Sequence, residues 1–325
     1  MELVINDYAA FIGRRSERFY VRIPEKPEEE FAAEKVEQIL IARASSISMG
    51  AIELAMEHDI DITYLDWRGT PLARTYPCKL GGTTLIRKKQ LEASATPTGA
   101  RIIKSIIDAK VKNQAYLLKA LAKERPNEKV TRNANIIISQ VEKIDLLELN
   151  LAKVGETLLG IEGYCGSLYW DALSELMPLG NRDKKGDNLT NAFLNYGYGI
   201  LYSEVERACI ISGLDPYLGF YHKDRYGKPS MVLDLIENFR PVIVDRAVIT
   251  IFSRKMATEE DFEGGRLSKS GRDKILSEVL KRLTTEISFE GRRASIKDLI
   301  LRQSRNIARA LTDDNYKFRA FVHKW

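Results

Sequence analysis

Apolar and polar residues alternate in steps of two through the first 85 residues and recur at helical spacing afterwards, so the pattern predicts two differently built parts. In RFYVRI, Phe19, Val21 and Ile23 alternate with Arg18, Tyr20 and Arg22, as in a half-buried strand. DIDITYLDWRGTPLART repeats the signal, with Ile60, Ile62 and Tyr64 set against Asp61 and Thr63; DWRG, ending at Gly69, reads as a turn into another strand. Between these stretches, SMGAIELAMEHD reads as a short helix capped by Ser48. Gly81, Gly82 and Pro97 then punctuate a polar connection, which sets the expected domains at 1–85 and 97–325 with a linker at 86–96.

From Arg101 the apolar positions Ile102, Ile106, Ala109, Tyr116 and Ala120 fall near one helical stripe, until RPNEK at Arg125 to Lys129 breaks the pattern. LLELNLAKVGETLLGIEGYCGSLYWDALSELM, LTNAFLNYGYGILYSEVERACIISG, MVLDLIENFRPVIVDRAVITIFS, RDKILSEVLKRL and IKDLILRQSRNIARALTDD also read as helices. The expected class is therefore α+β multidomain: a small β-rich N-terminal domain followed by a larger all-α domain.

Charge sharpens this division. Residues 1–85 carry 10 Lys and Arg against 14 Asp and Glu, while the remaining 240 carry 40 against 31, so a chain of net +5 has a mildly acidic first part and a basic second one. A basic helical domain suits a polyanion, nucleic acid first, although an ordinary solvated surface would give the same count. Cys78, Cys165 and Cys209 lack the spacing of a disulfide framework or zinc site and read as core residues of a protein in a reducing cytosol. The acidic N-terminal residues Glu2 and Asp7, and the lack of any long apolar run, predict a cytoplasmic protein with no membrane span.

The candidate chemistry lies in two places. In GFYHKDRYGKPSMVLDLIENFRP, helical spacing puts Asp234 and Glu237 on one face, with His222 shortly before them; a solvated acidic face would explain this stretch as well. In LLGIEGYCGSLYW, the helical neighbours of Glu162 are Leu158, Leu159, Cys165, Gly166 and Tyr169, which is no solvent face. A carboxylate there needs a cation, a donor or a proton, and a salt bridge to an arginine would suffice. Gly163 and Gly166 leave room for another helix or a ligand to come close. If Glu162, His222 and Glu237 converge, two carboxylates and an imidazole suit Mg²⁺ or Mn²⁺ better than zinc, and such ions serve phosphodiester chemistry. His58, at a helix end, and His323, near the last residue, need no catalytic role.

Four passages, GIEG with Glu162, NAFLNYGYGIL from Asn191, the 219–241 stretch and GGRLSKSGR from Gly264, occur in an order that resembles the CRISPR-associated integrase family. This is the first of the numbered CRISPR-associated proteins, which inserts new spacers into the repeat array; SSISMGAIELAMEHDIDITYLDWRGTPLAR also looks like its sheet domain. The resemblance implies a β-sandwich-like N-terminal domain and a helical catalytic domain that binds Mg²⁺ or Mn²⁺ through Glu162, His222 and Glu237, with Asp234 used beside them. It further implies a homodimer, assembly with CRISPR-associated protein two on double-stranded DNA, and attack of a 3′ hydroxyl on a repeat phosphodiester. Arg182, Asn191, Lys223, Arg225 and Lys228 would meet DNA near the site, and Arg254, Arg266, Lys269 and Arg272 further away.

Two departures stand out: Glu237 replaces the more usual aspartate, and NRDKKGDNLTN lacks the proline-rich form common in relatives, so the matches of Arg182 and Asp187 are the loosest. A metal-dependent nuclease acting on branched DNA in repair would use the same residues, and a noncatalytic DNA-binding scaffold is the reading from another class.

Overall fold

The alternating stretches form sheets. In the computed structural model, which describes residues 1–42, 45–66, 71–77, 83–147, 151–180 (backbone alone for 151–153), 182, 188–222 and 226–325, one compact unit spans Met1–Leu80 and a second Gly81–Trp325. The first contains β1 (Glu2–Ile5), β2 (Phe11–Arg15), β3 (Arg18–Arg22), β4 (Glu29–Ala32), β5 (Gln38–Ile41), β6 (Ser46–Ile47), α1 (Met49–Glu57), β7 (Asp61–Leu65) and β8 (Pro71–Thr75). They make two four-stranded sheets, ordered β1-β5-β7-β8 and β4-β3-β2-β6. In the first, β1, β5 and β7 run parallel and β8 antiparallel; in the second, β2 pairs antiparallel with β3 and parallel with β6.

Phe19 and Val21 of β3 point into a core shared with Leu3, Ile5, Ile12, Ile39, Ile41, Leu54 and Ile62, drawn from both sheets and α1. Ser48 caps α1, its hydroxyl accepting from the Ala51 amide at 3.1 Å. Alternation misplaced two polar residues: Asp61 and Thr63 are buried, because β7 is an inner strand covered on both faces. The Asp61 carboxylate is held there by the Gln38 amide at 3.1 Å and by the Arg74 guanidinium. Residues 67–69 of the DWRG turn, Gly81, Gly82, Asp187 and Cys78 lie outside the described residues, whereas Cys165 and Cys209 are buried thiols.

The second unit is mainly helical: α2 (Thr83–Ala93), α3 (Pro97–Glu124), α4 (Glu128–Asp145), α5 (Leu151–Leu173), α6 (Leu189–Ile211), α7 (Ser230–Ile236) and α8 (Arg246–Ser253), then α9 (Lys269–Thr284) and α10 (Ile296–Thr312). Two expectations change. Residues 86–96 are no linker, because α2 fills most of that span and packs within this unit. Its buried Gln90 donates to the carbonyls of Asp215 and Leu218 at 2.9 and 2.7 Å and accepts from the Asp215 amide, so one polar side chain helps dock a helix that buries few of its residues. Nor is the unit all α. It holds two hairpins, β9 (Phe262–Glu263) with β10 (Arg266–Leu267) and β11 (Glu286–Phe289) with β12 (Arg292–Ser295). Their two-residue turns, Gly264-Gly265 and Glu290-Gly291, take positive φ at both positions, a requirement that helical periodicity does not register. Among the described residues no helix is long and apolar enough to cross a membrane.

The 230–253 stretch, expected as one helix, is interrupted. α7 ends at Ile236, and the chain re-forms through a wider π-type turn at Pro241–Asp245 because Pro241 has no amide hydrogen to donate. Helix α3 runs through the middle of the unit, with buried residues well beyond the expected stripe, including Val111, Asn113, Ala115, Leu117 and Leu118. Buried Asn113 donates to the carbonyls of Asn238 and Phe321 at 2.7 and 3.1 Å and accepts from the His323 amide at 2.8 Å. It thereby ties α3 both to the chain just after α7 and to the segment following α10. There Phe321, fully buried, stacks on Phe239 at 5.6 Å.

Replacing Asn113 with alanine strands three backbone groups, two of them in buried bonds, so Asn113→Ala should lower the unfolding free energy by about 3 kcal/mol in urea denaturation. A loss under about 0.5 kcal/mol would show that water takes over these bonds. Burial, and then Arg282, hold His323 down at about 4 against an ordinary 6.5. Between those values the unfolded chain takes up a proton that the folded chain refuses, so stability present above pH 6.5 is lost as pH falls towards 4. Thermal unfolding followed from pH 7 to 4 should show a shallower decline in His323→Phe than in the unmodified protein.

Candidate active site

The site forms where α5, the loop before α7 and the end of α7 meet the middle of α3. Glu162, on α5, is only partly buried, its side chain 16% exposed. Its carboxylate accepts from the Lys110 ammonium at Oε1 and from the Tyr221 hydroxyl at Oε2. The requirement for a cation or donor is therefore met by both, with a lysine in place of the expected arginine. Glu237 sits immediately past α7 and keeps helical φ and ψ, so its spacing still places it on the same side as Asp234. It is almost fully buried. Its Oε1 pairs with Arg240 at 2.8 Å and its Oε2 with Lys110 at 2.5 Å.

Electrostatics keep these groups charged. Burial alone would push the Glu237 carboxyl up, but the Arg240 guanidinium and the Lys110 ammonium outweigh it and hold it at about 2. Burial likewise works against the charged form of Lys110, and Glu237 and Glu162 together overcome it, raising its pKa above the ordinary lysine value.

Asp234 does different work. One oxygen accepts from the Phe220 and Tyr221 amides at 2.6 and 3.0 Å, and the other from the His222 amide at 2.9 Å and the His222 ring Nδ1 at 2.8 Å. Three successive backbone donors and one imidazole thus converge on one buried carboxylate. Because an ionised Asp234 can only accept, Nδ1 carries the ring proton and Nε2 remains available as a ligand or base. Gly219 makes the close approach possible: a Cβ there would lie 2.6 Å from the Ser230 Cβ and 3.0 Å from Asp234 Oδ2. The Tyr221 and His222 rings meet edge to face at 5.5 Å, which sets His222 beside the tyrosine that reaches Glu162.

A second buried layer supports the first. Asp245, in the π-type turn, accepts from the Tyr169 hydroxyl at 2.7 Å and from the Tyr198 hydroxyl, and burial raises its pKa to about 6. The Arg182 and Arg240 guanidiniums both lie over the Tyr198 ring, at 5.6 and 5.0 Å. Arg182 also covers Trp170 and donates to Asn191 and Asn195 at 2.9 and 2.7 Å. NAFLNYGYGIL therefore contributes an internal arginine clamp, so buried Asn191 serves Arg182 instead of facing a nucleic acid.

The structure thus brings Glu162 and Glu237 to one cation, Lys110, and pairs His222 with Asp234. The donor set, two carboxylates and an imidazole, fits a hard divalent cation in kind, and each glutamate already turns one oxygen to a single cation. As the side chains stand, however, no three His, Cys, Asp or Glu groups among the described residues are gathered as a metal site needs, and the Lys110 ammonium lies between the two glutamates.

Of the expected DNA contacts, Arg254, Arg266 and Lys269 are exposed and Lys228 partly so, while Lys223 and Arg225 lie outside the described residues. Arg272 is a correction: it is buried and donates to the Leu267 carbonyl at 2.8 Å, bracing the hairpin instead of facing solvent. The sequence reading missed Lys110, Tyr221, Tyr198 and Arg240. Lys110 alone carried a signal, as a charge among the apolar residues of IIDAKVKNQ. A Cβ at Gly163 or Gly166 would have no heavy atom of the described residues within 4 Å, so among those residues no helix packs against these two positions.

Comparison with known proteins bears on the chain as a whole. A CRISPR-associated endonuclease Cas1 of Archaeoglobus fulgidus is 32% identical over 348 aligned positions, covering 100% of both chains. Among solved structures, a casposase bound to integration product superposes with TM-score 0.83 at 23% identity, over 100% of this chain and 94% of its own. A Cas6-RT-Cas1–Cas2 complex gives 0.76 at 19% identity, over 99% of this chain and 36% of that one. The model of the family described as CRISPR associated protein Cas1 matches residues 3–281, a span that takes in Glu162, His222, Asp234 and Glu237 as well as the sheets before them, and the chain accordingly belongs to the Cas1 family.

Proposed function

We propose that this protein is a metal-dependent DNA integrase and endonuclease that inserts spacer DNA into a CRISPR array by attack of a 3′ hydroxyl on a repeat phosphodiester. The observation that carries the reading is the meeting of Glu162 and Glu237 at one cation beside a histidine whose tautomer is fixed by buried Asp234. Glu162, Glu237 and His222 Nε2 would hold Mg²⁺ or Mn²⁺, which when bound polarises a phosphoryl oxygen and offsets the charge that develops on the leaving 3′ oxygen.

The protein's own groups do the rest. Asp234 keeps the imidazole oriented with its proton on Nδ1, so that Nε2 presents a lone pair. Arg240 keeps Glu237 ionised in a setting that would otherwise favour its protonated form. Tyr221 fixes one Glu162 oxygen, which limits the rotations open to that carboxylate. Gly163 and Gly166, which meet no side chain among the described residues, would let a phosphodiester backbone come close to Glu162. Arg254, Arg266, Lys269 and Lys228 would contact phosphates, which position DNA without reading its sequence.

The reading extends to partners. The amino-terminal sheets, as a β-sandwich-like domain, would pair two copies of the chain, and assembly with a Cas2 partner follows the composition of the Cas6-RT-Cas1–Cas2 complex that shares its fold. The casposase, bound to an integration product, motivates strand joining over simple cutting. A cytoplasmic location suits this work.

The test is plasmid integration: purified protein with Cas2, a labelled duplex with free 3′ hydroxyls, and a supercoiled plasmid carrying a CRISPR repeat, with Mn²⁺ or EDTA. Joined product should form only with metal and fall by at least about 100-fold in folded Glu162→Ala and His222→Ala proteins. Cutting of branched DNA without joining would favour a repair nuclease, and neither activity would leave a DNA-binding scaffold. For phosphate contacts, log affinity against log salt should slope steeply, by about one less for each of Arg254→Ala and Lys269→Ala. A slope near zero in the unmodified protein would remove phosphate contacts from the account.

A further inference from the structure

Lys110 has no place in the metal chemistry just described, yet it occupies the middle of the site. Its ammonium meets Glu162 Oε1 and Glu237 Oε2, with its side chain 13% exposed. Each glutamate has its other oxygen held elsewhere, Glu162 Oε2 by the Tyr221 hydroxyl and Glu237 Oε1 by Arg240 at 2.8 Å. The two oxygens that meet Lys110 are therefore the ones for which a divalent cation would compete with it. They come from residues 52 and 127 positions away from Lys110 in the chain, so local helix geometry does not impose the contact.

The geometry points to Lys110 as a built-in cation that keeps the two metal-ligating carboxylates assembled while the metal is absent and that must leave their oxygens for Mg²⁺ or Mn²⁺ to enter. This inference rests on the metal-site reading above. Two carboxylates facing one another in a partly desolvated site repel, and without a cation they would turn apart or take up a proton. The ammonium prevents both, at the cost of competing with the metal for the same oxygens. A lysine suits this role better than an arginine. It carries a compact charge on a flexible four-carbon stem, whereas a guanidinium would grip the carboxylate in two parallel bonds and yield less readily. Arg240 and Tyr221 would stay in place during the exchange, so the carboxylates keep their anchors as the bridging charge changes hands.

A lysine with a purely structural role and an exchangeable one differ in what its removal does to metal binding. Mn²⁺ binding is measured by electron paramagnetic resonance of the free ion, and thermal unfolding by circular dichroism, on unmodified, Lys110→Met, Lys110→Gln and Glu162→Gln proteins. Lys110→Met should unfold at a lower temperature without metal, bind Mn²⁺ about tenfold or more tightly, and gain more in unfolding temperature from Mn²⁺ than the unmodified protein. Lys110→Gln, which keeps an N–H donor for one carboxylate and so guards against loss of folding, should also bind more tightly. Equal or weaker Mn²⁺ binding in the folded Lys110 variants would overturn the inference. If Glu162→Gln weakens binding while the Lys110 variants leave it unchanged, the exchange alone fails; if Glu162→Gln binds like the unmodified protein, the metal-site reading fails with it.

Discussion

Two carboxylates cannot be kept ionised side by side in a largely buried place unless a cation stands between them, and this constraint organises the catalytic unit. Lys110 supplies the charge from the middle of α3, Glu162 arrives from α5 and Glu237 from the end of α7. One turn further along α3, Asn113 fixes the backbone at Asn238, next to Glu237, and holds the segment containing Phe321 against the same helix. The helix that brings the charge therefore also fixes the chain that carries one of its partners. A shift of α3 would disturb electrostatics and packing together.

Around this centre the chain uses buried acids for distinct tasks. Asp234 collects three consecutive amides and the His222 ring, turning a loop that would otherwise have unpaired donors into a rigid support for an imidazole. Asp245 takes two tyrosine hydroxyls, and the Tyr198 ring in turn lies beneath the guanidiniums of Arg182 and Arg240. Arg240 closes the series by pairing with Glu237. A polar chain thus runs from the Trp170 side of the unit to the site. It explains why NAFLNYGYGIL belongs with the catalytic passages although none of its residues reaches Glu162.

Much of this was legible in the residues. Phe19 and Val21 alternate as a strand, Ser48 caps its helix, and RPNEK separates two helices, because each depends on local spacing or on one backbone bond. Glu162 stood out because its helical neighbours were apolar, and Asp234 and Glu237 because three residues separate them. The errors have equally local causes. Residues 86–96 looked like a connection because their polarity hid a helix docked through Gln90, and the hairpins hung on positive-φ turns in a stretch read for helical period. Arg272 and Asn191 read as surface groups, although the charge of one is turned inward and the amide of the other serves a neighbouring arginine.

By itself the sequence determined which elements form and which residues are chemically able to act, since helix and strand periods, caps and the scarcity of buried acids are properties of neighbours in the chain. Only the tertiary structure decided how those residues are used. That Asp234 orients His222 while Glu237 faces Lys110, and that Lys110 bridges residues 52 and 127 positions away, follows from the packing of α3 against α5 and the end of α7. Charge pairing acts through space over a few ångströms, and no period along the chain encodes which distant side chains will come within that reach.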